Sequence, residues 1–254
     1  MAPPLWKIVA GTAVAGGALY LAIKGKKGAV DLAERIIAEG RDLAFQWSLP
    51  SQAQPYSEVI LSASRLKGVD PFLIAAIGYK ESLWGQALTP PGPGGTGDFT
   101  PRNWTPTPMP PDGLGWGRGL MQLDYHWYRD QFAKGLNWAD PFQNVVAGAE
   151  RYLEAVTYFS SMPKTPGVTL SAYAAERRGV PPGVYPDPRP LAGSLLNRAA
   201  IAAYNTGISN VLMSLAAGVD PDVTTAGAPY GTHNYSARVL DTVSDYVGRF
   251  GAQV

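Results

Sequence analysis

The chain has 254 residues, 46% of them hydrophobic and only 16% charged, which suits one sizeable domain with an appendage and excludes a disordered, highly charged chain. No Cys and two His exclude a disulfide framework, a thiolate zinc site and a Cys nucleophile, and no metal or organic cofactor is expected. The net charge of +1 hides an asymmetry. Lys7, Lys24, Lys26 and Lys27 precede the first acid, leaving 17 basic against 20 acidic groups beyond them and no basic stripe for nucleic acid.

Between Lys7 and Lys24 the run IVAGTAVAGGALYLAI is uncharged. A helix from Leu5 to Ile23 would extend ~28 Å at ~1.5 Å per residue, about one hydrocarbon thickness. Trp6 and Tyr20 suit the two interfaces, and Gly11, Ala13, Ala15 and Gly17 give the small-residue spacing of close helix pairs in lipid. A cleaved signal peptide and a buried helix are the rival readings. The charge follows the run, and Leu21-Ala-Ile-Lys-Gly-Lys-Lys27 is a poor cleavage site, so residues 1–28 are expected to be a single-pass membrane anchor contacting lipid through residues 5–23. The lysines after the run would place residue 24 onward on the cytoplasmic face.

Residues 29–54 read as a connecting helix (29–47) and linker, and residues 55–254 as one predominantly helical domain. Tyr56, Val59, Ile60, Ala63 and Leu66 form a helical stripe stopped by Gly68. Asp70-Pro71 supplies an N-cap and a first-turn proline for a helix from Phe72 to Trp84, apolar on nearly every side until Tyr79-Lys80-Glu81-Ser82 and therefore buried. The 34 residues from Gly85 to Arg118 include eight Pro and eight Gly, a density that predicts a long functional loop. Asp140-Pro141 opens a helix with its stripe from Phe142 to Phe159. The Pro-rich stretch 163–190 carries at most a short helix around Leu170–Arg178. Helices follow over Leu191–Tyr204, with Gly207 as a left-handed cap, and over Ile208–Ala217. The last runs from Tyr235 to Phe250. No segment alternates as a strand does, so any sheet is expected to be minor.

Glu81 does not fit its surroundings. It ends the most apolar helix, where burial and the negative end of the helix dipole both disfavour a carboxylate and raise its pKa, as a general acid at neutral pH requires. The bland alternative is a solvated carboxylate or a pair with Lys80.

Four segments follow in order: Glu81-Ser82, Gly119-Leu-Met-Gln-Leu-Asp124, Ala203-Tyr-Asn-Thr-Gly207 and Thr232-His-Asn-Tyr235. Together, over roughly residues 55–250, they resemble the goose-type lysozymes and the related lytic transglycosylases. Those enzymes share a lysozyme-like fold and cut the β-1,4 bond between N-acetylmuramic acid and N-acetylglucosamine in peptidoglycan. The resemblance implies that Glu81 is the catalytic acid and that Gln122 lies beside the sugar. It implies that Tyr204 and Asn205 line the cleft and that Tyr235 positions the acid, although its Thr-His segment is one residue shorter than the family's. Asp124 matches an Asp of the lysozymes that transglycosylases generally lack, and it would orient the attacking water. A further lysozyme Asp, in Gly-Trp-Gly-Asp-Arg-Gly, is missing from Gly115-Trp-Gly-Arg-Gly119, so Asp112 or Asp98 would stand in. An inverting hydrolase needs such a second carboxylate. A transglycosylase does not, because the muramyl 6-hydroxyl closes on C1.

Asp124 also reads simply as a helix N-cap, His126 as a cleft or surface residue, and His233 as a structural hydrogen-bonding group. Trp104, on a Pro/Thr-rich loop, is a candidate for stacking on sugar, whereas Trp84 and Trp127 are expected to pack in the core. The competing function is a glycan-binding or structural protein of the same fold without turnover. A wall-cleaving domain on the cytoplasmic side suits a virion membrane protein that opens a host wall at infection; a bacterial envelope enzyme is the other setting.

Overall fold

In chain order, the computed structural model forms α1 (Lys27–Ser48), α2 (Ser57–Lys67), α3 (Pro71–Ser82), β1 (Thr96–Gly97), β2 (Gly117–Arg118), β3 (Leu123–Asp124), α4 (Tyr125–Ala133) and α5 (Pro141–Ser160). It continues with β4 (Gly167–Leu170), α6 (Ala172–Glu176), β5 (Gly183–Pro186), α7 (Gly193–Thr206), α8 (Ile208–Ala216) and α9 (Tyr235–Gly251). The structure describes residues 27–164, 167–225 and 233–252. The uncharged run of residues 8–23 lies outside them, as does Thr232, and no described helix is long and apolar enough to cross a membrane.

The fold is predominantly helical. Asp70 caps α3 by accepting from Phe72 N (2.8 Å) and Leu73 N (3.1 Å), with Pro71 in the first turn. Such a cap is worth ~1 kcal/mol. Gly68 ends α2 at φ +69° and Asp140 caps α5 through Gln143 N. Gly207 does not form the expected left-handed cap. At φ +87°, ψ 151° it turns the chain sharply from α7 into α8.

Leu73 to Gly78 of α3 are buried, and the helix packs against α2, α5 and α9, with α5 against α7 beside it. The helix that is apolar on all sides is thus the central one. The connector is not free of the body: Phe45, Leu49 and Ala53 belong to the main core, and Phe45 meets Phe72 with ring centroids 5.0 Å apart. The end of α1 and the linker after it thus share the core of the helices that follow.

Two small antiparallel sheets are present, minor as expected. One has order β1-β2-β3, pairing Gly97 with Gly117 and Gly117 with Asp124; the other is the β4–β5 hairpin. Two-residue strands of Gly, Arg, Thr and Asp are too short to show an alternation. In β4, Val168 and Leu170 do alternate inward, onto Ala175 and α8, but over only four residues.

Candidate active site

The end of α3 is set by a costly turn. Leu83 and Trp84 both have positive φ (50° and 53°), a conformation that costs roughly 1–2 kcal/mol for each non-Gly residue. It lets Trp84 fold back on its own helix, where it is 2% exposed and donates from Nε1 to Ala75 O (3.0 Å). Burying an indole removes ~200 Å² from water, worth about 5 kcal/mol, so packing outweighs the strain. Gly78 makes this possible, since a Cβ there would come within 2.7 Å of the indole. Trp84 is therefore a core residue, as expected, and the chain leaves α3 just after Glu81.

The Gly119-Leu-Met-Gln122 turn is held by side chains from three helices. Ser82 Oγ of α3 donates to Leu120 O (2.6 Å). Asn144 of α5 accepts from Met121 N (2.8 Å) and donates to Arg118 O (3.0 Å). Tyr204 Oη of α7 donates to Met121 O (2.8 Å). Gly148 receives the Met121 side chain, to which a Cβ would lie 2.7 Å away. Gln122, at φ +49°, then lays its amide over Gly97 and Gly117, and its Nε2 donates to Gly119 O (2.9 Å). Any side chain at either glycine would collide with it.

Glu81, Gln122, Asp124, Trp104, Tyr204 and Asn205 line one groove of about 960 Å³, together with Asp98, Arg102, Trp127, Arg151 and Glu154. Tyr235 stands behind the acid and donates its Oη–H to Glu81 Oε1. Burial pushes the Glu81 carboxyl from 4.5 up to about 7, against the Tyr235 hydrogen bond and the positive charge of Arg151, which both pull it down. Burial, reinforced by the nearby Glu81 carboxylate, raises Tyr204 and Tyr235 well above the usual phenol range, so both stay neutral donors. A carboxyl half protonated near neutrality, held by a phenol at the edge of a groove, can deliver a proton to a bound leaving group.

Tyr235 is placed by Asp222, a carboxylate only 2% exposed. Asp222 takes the role of an N-cap from outside α9, accepting from Ser236 N (2.9 Å), Ser236 Oγ (2.7 Å) and Ala237 N (3.3 Å), while Arg198 pairs with it at 3.4 Å. His233 has the structural role expected of it, with Nδ1 2.6 Å from Thr225 O.

Of the candidate second carboxylates, Asp124 and Asp98 line the groove and Asp112 does not. Asp124 both caps α4, accepting from His126 N (2.8 Å), and pairs with Arg102 (2.7 Å). Asp98 pairs with the same Arg102 (2.6 Å) and lines the groove. Asp112 does not line it. It pairs with the fully buried Arg118 (2.9 Å); partial burial lifts its carboxyl, but Arg118 and the Leu114 N–H outweigh that and hold it below the usual range. Of the two stand-ins for the missing loop Asp, Asp98 is the one at the groove.

Trp127 is 59% exposed on the groove, contrary to its expected core packing, because Tyr128 and Phe132 carry the core-facing side of α4 and Trp127 falls on another face. Arg102, Arg151 and Glu154 were not singled out from the sequence. On an amphipathic helix Arg151 and Glu154 look like a solvated face, and only the approach of α7 to α5 brings Arg151 Nε to Tyr204 O (3.4 Å). Among the described residues no cluster of His, Asp and Glu could hold a metal ion. No family model and no curated protein matches this chain.

Proposed function

We propose that the protein is a peptidoglycan-cleaving glycosidase, a muramidase that cuts the β-1,4 bond between N-acetylmuramic acid and N-acetylglucosamine. The single observation that carries this is Glu81, a carboxyl lifted to about 7 by burial, bonded to Tyr235 and facing a long polar groove. The four ordered segments that resemble goose-type lysozymes and lytic transglycosylases contribute Glu81, Gln122, Tyr204, Asn205 and Tyr235 to this one place, which supports the same reading. Glu81 protonates the glycosidic oxygen, the bond from that oxygen to C1 breaks, and positive charge develops at C1. A water, oriented by Asp124 with Asp98 beside it, adds at C1 and its proton leaves to the carboxylate. Gln122 and Asn205 supply amides to the sugar.

One observation favours transglycosylation as a second reading. Arg102 engages both Asp98 and Asp124, so an oxygen of each is already taken by the guanidinium rather than open to a water. The muramyl 6-hydroxyl would then close on C1 to a 1,6-anhydro end. Purified wall incubated with the protein and with Glu81→Gln tests both. Release of fragments by the wild type alone supports a glycosidase, and equal clearing by the two proteins refutes it. Anhydro ends, one water lighter, identify the second reading. In keeping with the uncharged run between Lys7 and Lys24, we place the enzyme on a membrane through residues 5–23, either in a virion or in a bacterial envelope.

A further inference from the structure

Three aromatic rings at the groove form one contiguous cluster that the catalytic steps do not use. Trp104 and Trp127 lie nearly parallel, 29° apart with centroids separated by 6.5 Å. His126 stands edge-on to both, at 5.2 Å and 77° from Trp104 and at 4.6 Å and 86° from Trp127. Each indole is 59% exposed and both line the groove that holds Glu81. Large aromatic faces left open in this way leave water in contact with apolar area, which the protein would normally bury.

The surface is also built to be rigid. The Trp104 loop is closed by Arg102 N to Pro108 O (2.9 Å) and by Thr105 Oγ1 to Thr107 O (2.6 Å). Arg102 lies over Trp104 (5.4 Å) and over the buried Trp116 (4.4 Å), and its ion pair with Asp124 ties this loop to the first turn of α4, where Trp127 sits. The two indoles come from segments more than twenty residues apart, joined by that cation and by the ring contacts themselves.

We infer that Trp104, His126 and Trp127 form a stacking platform for a pyranose ring of a β-1,4-linked N-acetylated glycan, on the same strand that Glu81 would cleave. A β-1,4-linked pyranose keeps its substituents equatorial, so its faces present axial C–H groups, weakly positive, to the negative face of an indole. Around the rings stand Asp98, Arg102 and Asp124, which suit the equatorial hydroxyl rim. An apolar peptide would leave that charged rim unmatched. The platform rests on the glycosidase reading only for the choice of strand; binding does not require turnover.

The probe is chitohexaose, the soluble β-1,4-linked hexamer of N-acetylglucosamine, titrated into the full-length Glu81→Gln protein. Indole Nε1–H resonances report where it lies, and calorimetry reports affinity. The sugar should move the Trp104 and Trp127 signals and leave that of the buried Trp84 in place. Trp104→Ala and Trp127→Ala should each weaken binding roughly three- to tenfold, in line with the worth of one aromatic contact, and Trp127→Phe should restore most of the loss. Both side chains are largely exposed, so the variants should melt near the parent temperature. Absence of hexaose binding, shifts that miss both indoles, or unchanged affinity in the alanine variants each overturns the platform. If the platform results hold while the wild type releases nothing from wall, the platform stands and the glycosidase reading falls. If wall is cut while the alanine variants bind like the parent, the reverse is true.

Discussion

Replacing Glu81 by Gln should stabilise the protein in alkaline solution and leave it nearly unchanged in acid. In the folded protein the carboxyl titrates at about 7 rather than 4.5, because burial penalises the charged form. The sign follows: below the unfolded value both states carry the proton and the native state loses nothing. As pH rises from about 4.5 toward about 7, the unfolded chain gives up its proton while the folded chain keeps it, and stability falls; above about 7 the folded carboxyl ionises as well and the loss is complete. The displacement corresponds to about 3 kcal/mol between the two limits. The amide of the variant cannot ionise, is close in shape, and still offers an oxygen to the Tyr235 hydroxyl. Urea unfolding of both proteins at pH 4, 6 and 8.5 gives the difference directly, provided their m-values agree. The variant should gain about 3 kcal/mol on the wild type between pH 4 and pH 8.5, a rise of roughly 6–12 °C in relative melting temperature for a chain of this size. Curves that stay parallel over the whole range would show that Glu81 ionises as it does in water, and the general-acid argument would fail with them.

Tyr235→Phe removes a hydrogen bond that favours the Glu81 carboxylate, so the carboxyl should titrate above 7 and the alkaline limb of wall-cleaving activity should move to higher pH; a limb moving downward would contradict the geometry. Asp222→Asn leaves Ser236 N, Ala237 N and Arg198 with a neutral partner in a buried place and should lower stability by ~2 kcal/mol, the scale of a hydrogen bond to a charged group, as read by thermal unfolding. Gly148→Ala drives a methyl into Met121 and should cost about 1–3 kcal/mol, with kcat falling more than KM rises because Met121 precedes Gln122; an unchanged melting temperature would mean that Met121 moves aside freely.

The helical frame was legible because its signals are local. Asp70-Pro71, Gly68 and Asp140-Pro141 each act within a few residues, and the apolar girth of residues 72–78 announces a central helix wherever the rest of the chain goes. The acid was legible for the same reason: Glu81 is a charge at the end of that helix. What surrounds it was less so. Tyr204 and Tyr235 entered through a resemblance of short segments, and nothing in their spacing says that they converge on Glu81. Arg151 belongs to the face of an amphipathic helix, and its meaning depends on which helix packs beside it. That Asp98 lines the groove and Asp112 does not goes with their ion pairs, to Arg102 and to the buried Arg118, and such pairings are not readable from sequence distance. An aromatic near a helix start reads as core, but Tyr128 and Phe132 carry the inward side of α4 and leave Trp127 on the open side.

The Gly119–Gln122 turn borrows its hydrogen-bonding partners from Ser82, Asn144 and Tyr204, which lie far from one another along the chain. Contacts of such long sequence separation form late in folding, after loop-closure entropy has been overcome. A half-assembled chain therefore has helices but no sugar-sized recess, and its Glu81 is an ordinary hydrated acid. Whatever chemistry the recess supports waits on those long-range closures, a delay that comes from architecture alone.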